Sequence, residues 1–174
     1  MEKILWLILG SVALIAALRA RKSRRALIVG RVAVGTLMIG AGALVNVVYL
    51  ATALDWTTFA DTAHIDFVRD TWRSLVAPND LVFITLLIAF EATAGVLVLQ
   101  GGRKAQVGYL ALIGMHIGLL PFGWISTAWA AVMLVAFTLL FRAERHPPAA
   151  EHASPSVRSA TGDQRTETRA VGVP

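Results

Sequence analysis

Leu81 to Leu99 reads LVFITLLIAFEATAGVLVL, an unbroken apolar run except for Glu91 at its middle. Nineteen residues at 1.5 Å each reach about 28 Å as a helix, close to the hydrocarbon thickness of a bilayer. An ionisable group inside such a span is costly and points toward a partner within the protein. Working outward, the whole chain has the same character: of its 174 residues 56% are apolar and only 16% are charged, and the charges crowd between long apolar runs. Helices that are apolar all round have lipid or other helices as their solvent. The composition therefore predicts an all-α integral membrane protein.

Five apolar segments follow one another: Ile4 to Leu18, Ala26 to Leu54, Leu81 to Leu99, Val107 to Leu120 and Ile125 to Phe141. Pro121, Phe122, Gly123 and Trp124 separate the last two, which joined would exceed about 50 Å. The second is long for one crossing, so it must tilt, bend near Gly40 and Gly42, or project beyond the bilayer. Basic clusters follow the first segment (Arg19, Arg21, Lys22, Arg24, Arg25), lie between the third and fourth (Arg103, Lys104) and follow the fifth (Arg142, Arg145). With five spans all three fall on one side, which places the N-terminus outside and the C-terminus in the cytoplasm of a bacterial plasma membrane. Trp6, Trp56, Trp72 and Trp124 then mark the outer boundary, leaving Lys3, Arg69 and Arg73 as the outer basic residues. The first segment reads as an anchor more readily than as a cleaved signal peptide, because its basic residues follow the apolar stretch. The net charge of +5 needs no nucleic acid, since basic residues beside span ends meet anionic lipid headgroups. There is no cysteine, which removes thiolate and iron–sulfur chemistry by the chain alone.

The organisation expected is an N-terminal transmembrane anchor with its basic loop (1–25), a four-helix bundle (26–144) and a disordered cytoplasmic tail (145–174) rich in Pro, Ala, Ser and Thr. Inside the bundle, the outer loop 55–80 repeats Trp56, Phe59, Ala63, Phe67, Trp72 and Leu75 at spacings near three or four, which predicts an amphipathic helix on the outer surface. Thr58 and Asp61 have capping-box spacing. Asp61 and His64 lack the dense ligand pattern of a metal site and read as a solvated face.

Within the spans, Arg31, Gly35, Met38, Gly42, Asn46 and Tyr49 fall on one helical stripe, which should face the bundle interior. The alternative for Arg31 is that it snorkels to the headgroups. Glu91 shares a face with Gly95, so a neighbouring helix can approach closely below the carboxylate. His116 in the fourth span stands at a depth similar to that of Glu91, counted from the end of its own apolar segment. This suggests that Glu91 pairs with His116 or with Arg31. Gly114 and Gly118 form a GxxxG pair on the other flank of that span, a second packing face that permits homo-oligomers. Two readings of these groups stand: structural contacts between helices, or a polar pocket of Arg31, Asn46, Tyr49, Glu91 and His116 that holds a quinone-like headgroup or passes a proton. No catalytic motif, metal ligand set or paired haem histidine is present in the sequence.

Arg31, Gly35 and Gly42, then a loop, then Phe90-Glu91, Gly95, Leu97, Leu99, Gly101-Gly102 and Arg103, together resemble the DoxX-like family of small integral membrane proteins across about Ala26 to Arg142. The resemblance implies a four-helix transmembrane bundle, here with an extra first span and a longer outer loop. It also implies an accessory, non-catalytic subunit of a quinone-linked or oxidant-detoxifying membrane oxidoreductase, with a quinone as the candidate cofactor. A small proton-coupled transporter using Glu91 and a purely structural scaffold are the other expectations.

Overall fold

A computed structural model describes residues 2–52 and 54–148. The expected tail beyond 148 lies outside the described residues, as do the side chains of Glu2 and Lys3. Every regular element among the described residues is helical. Four helices are long and apolar enough to cross a membrane: α2 (Arg24–Ala51), α3 (Asp66–Gln100), α4 (Gly102–Phe122) and α5 (Trp124–Arg145). They follow α1 (Glu2–Arg19), which is apolar and shorter.

The helix ends have local causes. Ser23 opens α2 by accepting the Ala26 amide at 3.3 Å. Gly101, at φ 73°, makes the reversal between α3 and α4. Pro121 lies in a final 3₁₀ turn of α4, and Gly123, at φ 115°, starts α5. The second span does not simply bend. Its middle, Leu37–Leu44, widens into a π-helix around Gly40 and Gly42, between α-helical Arg24–Thr36 and Val45–Ala51.

Each helix packs on its neighbours in sequence, and α5 closes the ring against α1. Ala13 and Ala17 of α1, Ala20 just after it, Val34 and Leu37 of α2, Tyr109 and Leu112 of α4 and Phe137 and Leu140 of α5 share one buried core. The N-terminal helix is thus part of the bundle core. Gly30 admits both neighbours of α2, because a Cβ there would meet Leu140 of α5 and Ala16 of α1. Outward-facing Leu86, Leu110, Ile117 and Val135 stay largely exposed, an apolar surface of the kind a bilayer covers.

The segment expected to form one amphipathic surface helix does something different. Asp55 accepts the Thr57 amide and hydroxyl at 2.8 and 2.6 Å, opening a 3₁₀ turn at Thr57–Ala60. These two bonds hold the exposed Asp55 carboxyl below its usual pKa. After a break, Asp66–Asn79 forms the helical turns that open α3, bent at Asn79 (φ −122°, ψ 32°) after Pro78, and they lie over the α4–α5 turn, with Trp72 edge to face on Phe122 at 5.3 Å. The first half lies over the same turn: the His64 amide donates to Pro121 O at 2.8 Å, and Thr62 Oγ1 donates to Phe122 O at 3.1 Å. Thr62 takes the place a Cβ on Gly123 would need. Trp56 and Ala63 are buried, but Phe67, on the expected apolar face, is 76% exposed. Asp61 pairs with Arg73 at 2.6 Å, and no capping bond from Thr58 forms among the described contacts.

Candidate intramembrane site

Glu91 sits on α3 with only 4% of its surface exposed. Its Oε2 accepts the Asn46 side-chain amide from α2 at 2.9 Å. The carboxyl lies against Gly42, where a Cβ would come within 2.9 Å of Glu91 Cδ and Oε1. Two sequence features make this approach feasible. Glycines at 40 and 42 weaken α-helix preference where the turn widens, and the absent side chain at 42 leaves room for the carboxyl. Gly35 and Gly95 give similar access below: the Leu99 side chain covers Gly35, and a Cβ on Gly95 would be 3.2 Å from Gly35 O. No cationic side chain pairs with Glu91 among the described ion pairs.

Asn46 has a second role. With Tyr49, Ala41 and Val45 of α2, Trp6 and Leu7 of α1, and Ile125, Ser126 and Trp129 of α5, it lines an open cleft of about 420 Å³. The walls are mainly apolar and aromatic, with an amide, a hydroxyl and a phenol among them. Trp6 and Trp129 meet edge to face at 5.3 Å, and the buried Trp129 indole N–H has no hydrogen-bond partner. A concave apolar site with a few polar groups is the usual form of a small-molecule pocket. Through Asn46, the cleft and the Glu91 carboxyl belong to one arrangement.

Arg31 is placed elsewhere. It does not reach Glu91 but pairs with Glu144 near the end of α5: Nε donates to Oε1, and Nη2 to Oε2 at 3.3 Å. The Gly102 amide also donates to Oε2 at 3.0 Å, and Gln106 Nε2 donates to Glu144 O at 3.3 Å. The guanidinium occupies the space a Cβ on Gly101 would take. One carboxylate therefore joins α2, the α3–α4 turn and α5. The bare snorkelling alternative fails too, since the arginine is fixed by two hydrogen bonds. Sequence reasoning did not single out Glu144, although it is the only acidic residue between Glu91 and Glu151 and stands between Arg142 and Arg145.

His116 is buried, 1% exposed, but does not meet Glu91. Its Nδ1 bonds to Leu112 O at 2.9 Å, one turn back, and its ring stands edge-on to Phe137 at 4.9 Å. Nε2 has no hydrogen-bond partner among the described residues, nor does the phenol of Tyr109, which shares that face of α4. The two groups fail to pair because α4 begins at Gly102, not at Val107. Measured from Gly101, Glu91 is ten residues deep and His116 fifteen, an offset of about 7 Å. Gly114 and Gly118 pack against no other helix of this chain among the described residues. Both are exposed, and a Cβ at either would have nothing within 4 Å, because α3 and α5 cover the opposite face through Gly108, Leu112 and His116. His64 Nε2 is 3.4 Å from Thr127 Oγ1, and its ring lies on Trp124 at 4.6 Å.

Compared with protein families, curated proteins and solved structures, the chain matches none.

Proposed function

We propose that this chain is a five-span, DoxX-like protein of a bacterial plasma membrane that binds a quinone headgroup in the cleft bounded by α1, α2 and α5 and serves a membrane oxidoreductase as an accessory subunit. The N-terminus lies outside, and the basic ends of the helices face the cytoplasm. The observation that carries the reading is Asn46, which lines the cleft and holds the buried Glu91 carboxyl at 2.9 Å. A planar headgroup can lie against the aromatic wall that Trp6 and Trp129 form by their edge-to-face contact, and its carbonyl oxygens need donors of the kind that Asn46, Tyr49 and Ser126 supply. The Glu91 carboxyl stands behind Asn46 as the group that positions its amide. No catalytic role is assigned to any side chain; electron transfer belongs to the partner.

The test uses the protein in lipid nanodiscs and the fluorescence of its tryptophans, two of which face the cleft. Titration with a benzoquinone carrying one isoprene unit should quench in a saturable way. Asn46→Ala should raise the half-saturation concentration at least about ten-fold, corresponding to loss of about 1.4 kcal/mol of binding. Linear, non-saturating quenching identical in both proteins would reject the headgroup site. Recovery of a redox partner with the tagged wild-type protein from mild detergent would support the subunit role. Recovery of the protein alone would reject that role while leaving the binding result to stand.

A further inference from the structure

Beside the Asn46 cleft lies a second hollow, of about 520 Å³, along the seam of α1 and α5. The two share Leu7, Ile125 and Trp129 as a common wall. In the second hollow the lining runs Leu7, Gly10, Leu14 on α1 and Ile125, Ala128, Val132 on α5. Each set advances seven residues, or about 10 Å, along its helix. Both helices start at the tryptophan-rich end of the bundle and run the same way, so the hollow is a channel parallel to the helix axes. Its lining is almost wholly apolar, with Ser11 the one aliphatic polar residue.

Gly10 decides the shape of this seam. A Cβ there would collide with the six-membered ring of Trp129, so the indole rests on the backbone of α1. Trp6 braces the same ring from the side. Trp129 thereby stands between a cleft lined by Asn46, Tyr49 and Ser126 and a channel with Ser11 as its one aliphatic polar residue.

We propose that the α1–α5 channel holds the hydrocarbon tail of the same ligand whose headgroup occupies the Asn46 cleft. The ligand class is then a bilayer-resident amphiphile, a long-chain isoprenoid quinone. The inference rests on the headgroup reading and adds a tail site, with α1 as the element that creates it. Continuity through the shared wall, the fall from three polar side chains (Asn46, Tyr49 and Ser126) in one mainly apolar hollow to Ser11 in the other, and a channel axis parallel to α1 and α5 argue for one two-part occupant. A water-soluble substrate would gain nothing from the channel.

The experiment compares, in nanodiscs, a quinone with one isoprene unit and the same headgroup with a long polyisoprenoid tail, with ligand expressed per lipid to remove the effect of partitioning. Wild-type protein should prefer the long chain by at least about ten-fold. Ala128→Phe, from α5, and Ser11→Phe, from α1, both fill the channel from exposed positions. Each should erase that preference while leaving affinity for the short-chain quinone unchanged. Retained short-chain affinity shows that the variants are folded, and the two helices give independent tests. A wild-type protein with no chain-length preference, or a preference that survives both substitutions, overturns the tail site but leaves the headgroup reading intact. Failure of the short-chain quinone to bind wild-type protein overturns both. Native mass spectrometry supplies the remaining arm: a phospholipid retained by wild-type protein, lost from Ala128→Phe and not displaced by long-chain quinone would assign the channel to ordinary lipid and overturn the proposal.

Discussion

Loss of Arg31 should damage this protein more than loss of Glu144, although the two form one ion pair. The Glu144 side chain is 2% exposed, whereas that of Arg31 is 24% exposed. Arg31→Met leaves a carboxylate enclosed by the ends of three helices with only the Gly102 amide as a remaining side-chain partner. Breaking a buried pair in this way costs about 3–5 kcal/mol. Glu144→Gln leaves a guanidinium that can turn to headgroups or water, and the new amide oxygen can still accept from Gly102, so the cost falls to about 1–3 kcal/mol. Arg31→Met with Glu144→Met removes both charges and should lie within about 2 kcal/mol of wild type. At about 2–4 °C per kcal/mol for a chain of this size, Arg31→Met should lower Tm by about 6–20 °C, with the double variant recovering most of the loss. Thermal unfolding in one detergent, followed by intrinsic tryptophan fluorescence, reads all four proteins. A Glu144 variant less stable than the Arg31 variant, or a double variant no more stable than Arg31→Met, would refute the claim that Glu144 is the trapped member of the pair.

Gly101→Ala should cost about 1–3 kcal/mol, because φ 73° with ψ 176° is nearly closed to other residues and the new Cβ meets the Arg31 guanidinium; Gly102→Asn, at φ 60° in open space, should stay within about 1 kcal/mol, and equal effects at both positions would contradict the geometry. Gly42→Ala should push the Glu91 carboxyl from its place and weaken short-chain quinone binding as Asn46→Ala does, whereas Gly114→Ala, facing open space, should leave binding unchanged in the same titration. Asp55 has a folded-state pKa below its unfolded value, so its contribution to the outer cap is present at neutral pH and is lost as the pH falls below about 4 through the folded value. Limited proteolysis of the cap should therefore distinguish wild type from Asp55→Asn at pH 7, by a margin that shrinks as the pH falls below about 4. A difference that grows on acidification would reverse the assigned sign.

Apolar run lengths and the breaks at Gly101 and Pro121–Gly123 made the long helices legible, because in a bilayer every backbone group must be satisfied within its own segment and the chain has few other options. What periodicity misread is instructive. A strict 3.6-residue stripe brought Gly42 and Asn46 to the same face of α2, and both do meet Glu91, yet the π-helical turn between Leu37 and Leu44 has no clear signal beyond its two glycines. The outer segment showed helical spacing throughout. Spacing along a chain does not reveal where a helix breaks, and here the break at 63–65 and the bend at Asn79 divide the outer segment into a 3₁₀ turn and the helical turns that lead into α3.

The polar contacts show more clearly why depth must be counted from the turn and not from the first apolar residue. Counting from Val107 put His116 level with Glu91; counting from Gly101 separates them by about 7 Å, so Glu91 takes Asn46 and His116 takes its own backbone. The same turn explains Arg31. Gly101 removes the Cβ that would exclude the guanidinium, Gly102 contributes the first free amide of α4, and Glu144 binds both from the facing helix end. Four residues from three distant stretches of the chain form this contact, and each alone has an ordinary explanation: a snorkelling arginine, two turn glycines and a surface glutamate. Their conjunction separates the basic end, where an arginine already neutralises the carboxylate, from the Asn46 cleft, where Glu91 has no cationic partner among the described residues. An incoming ligand at the basic end would have to break an ion pair. At Glu91 it needs only to share a hydrogen-bond network anchored by one amide, which is why the proposed binding site is placed there.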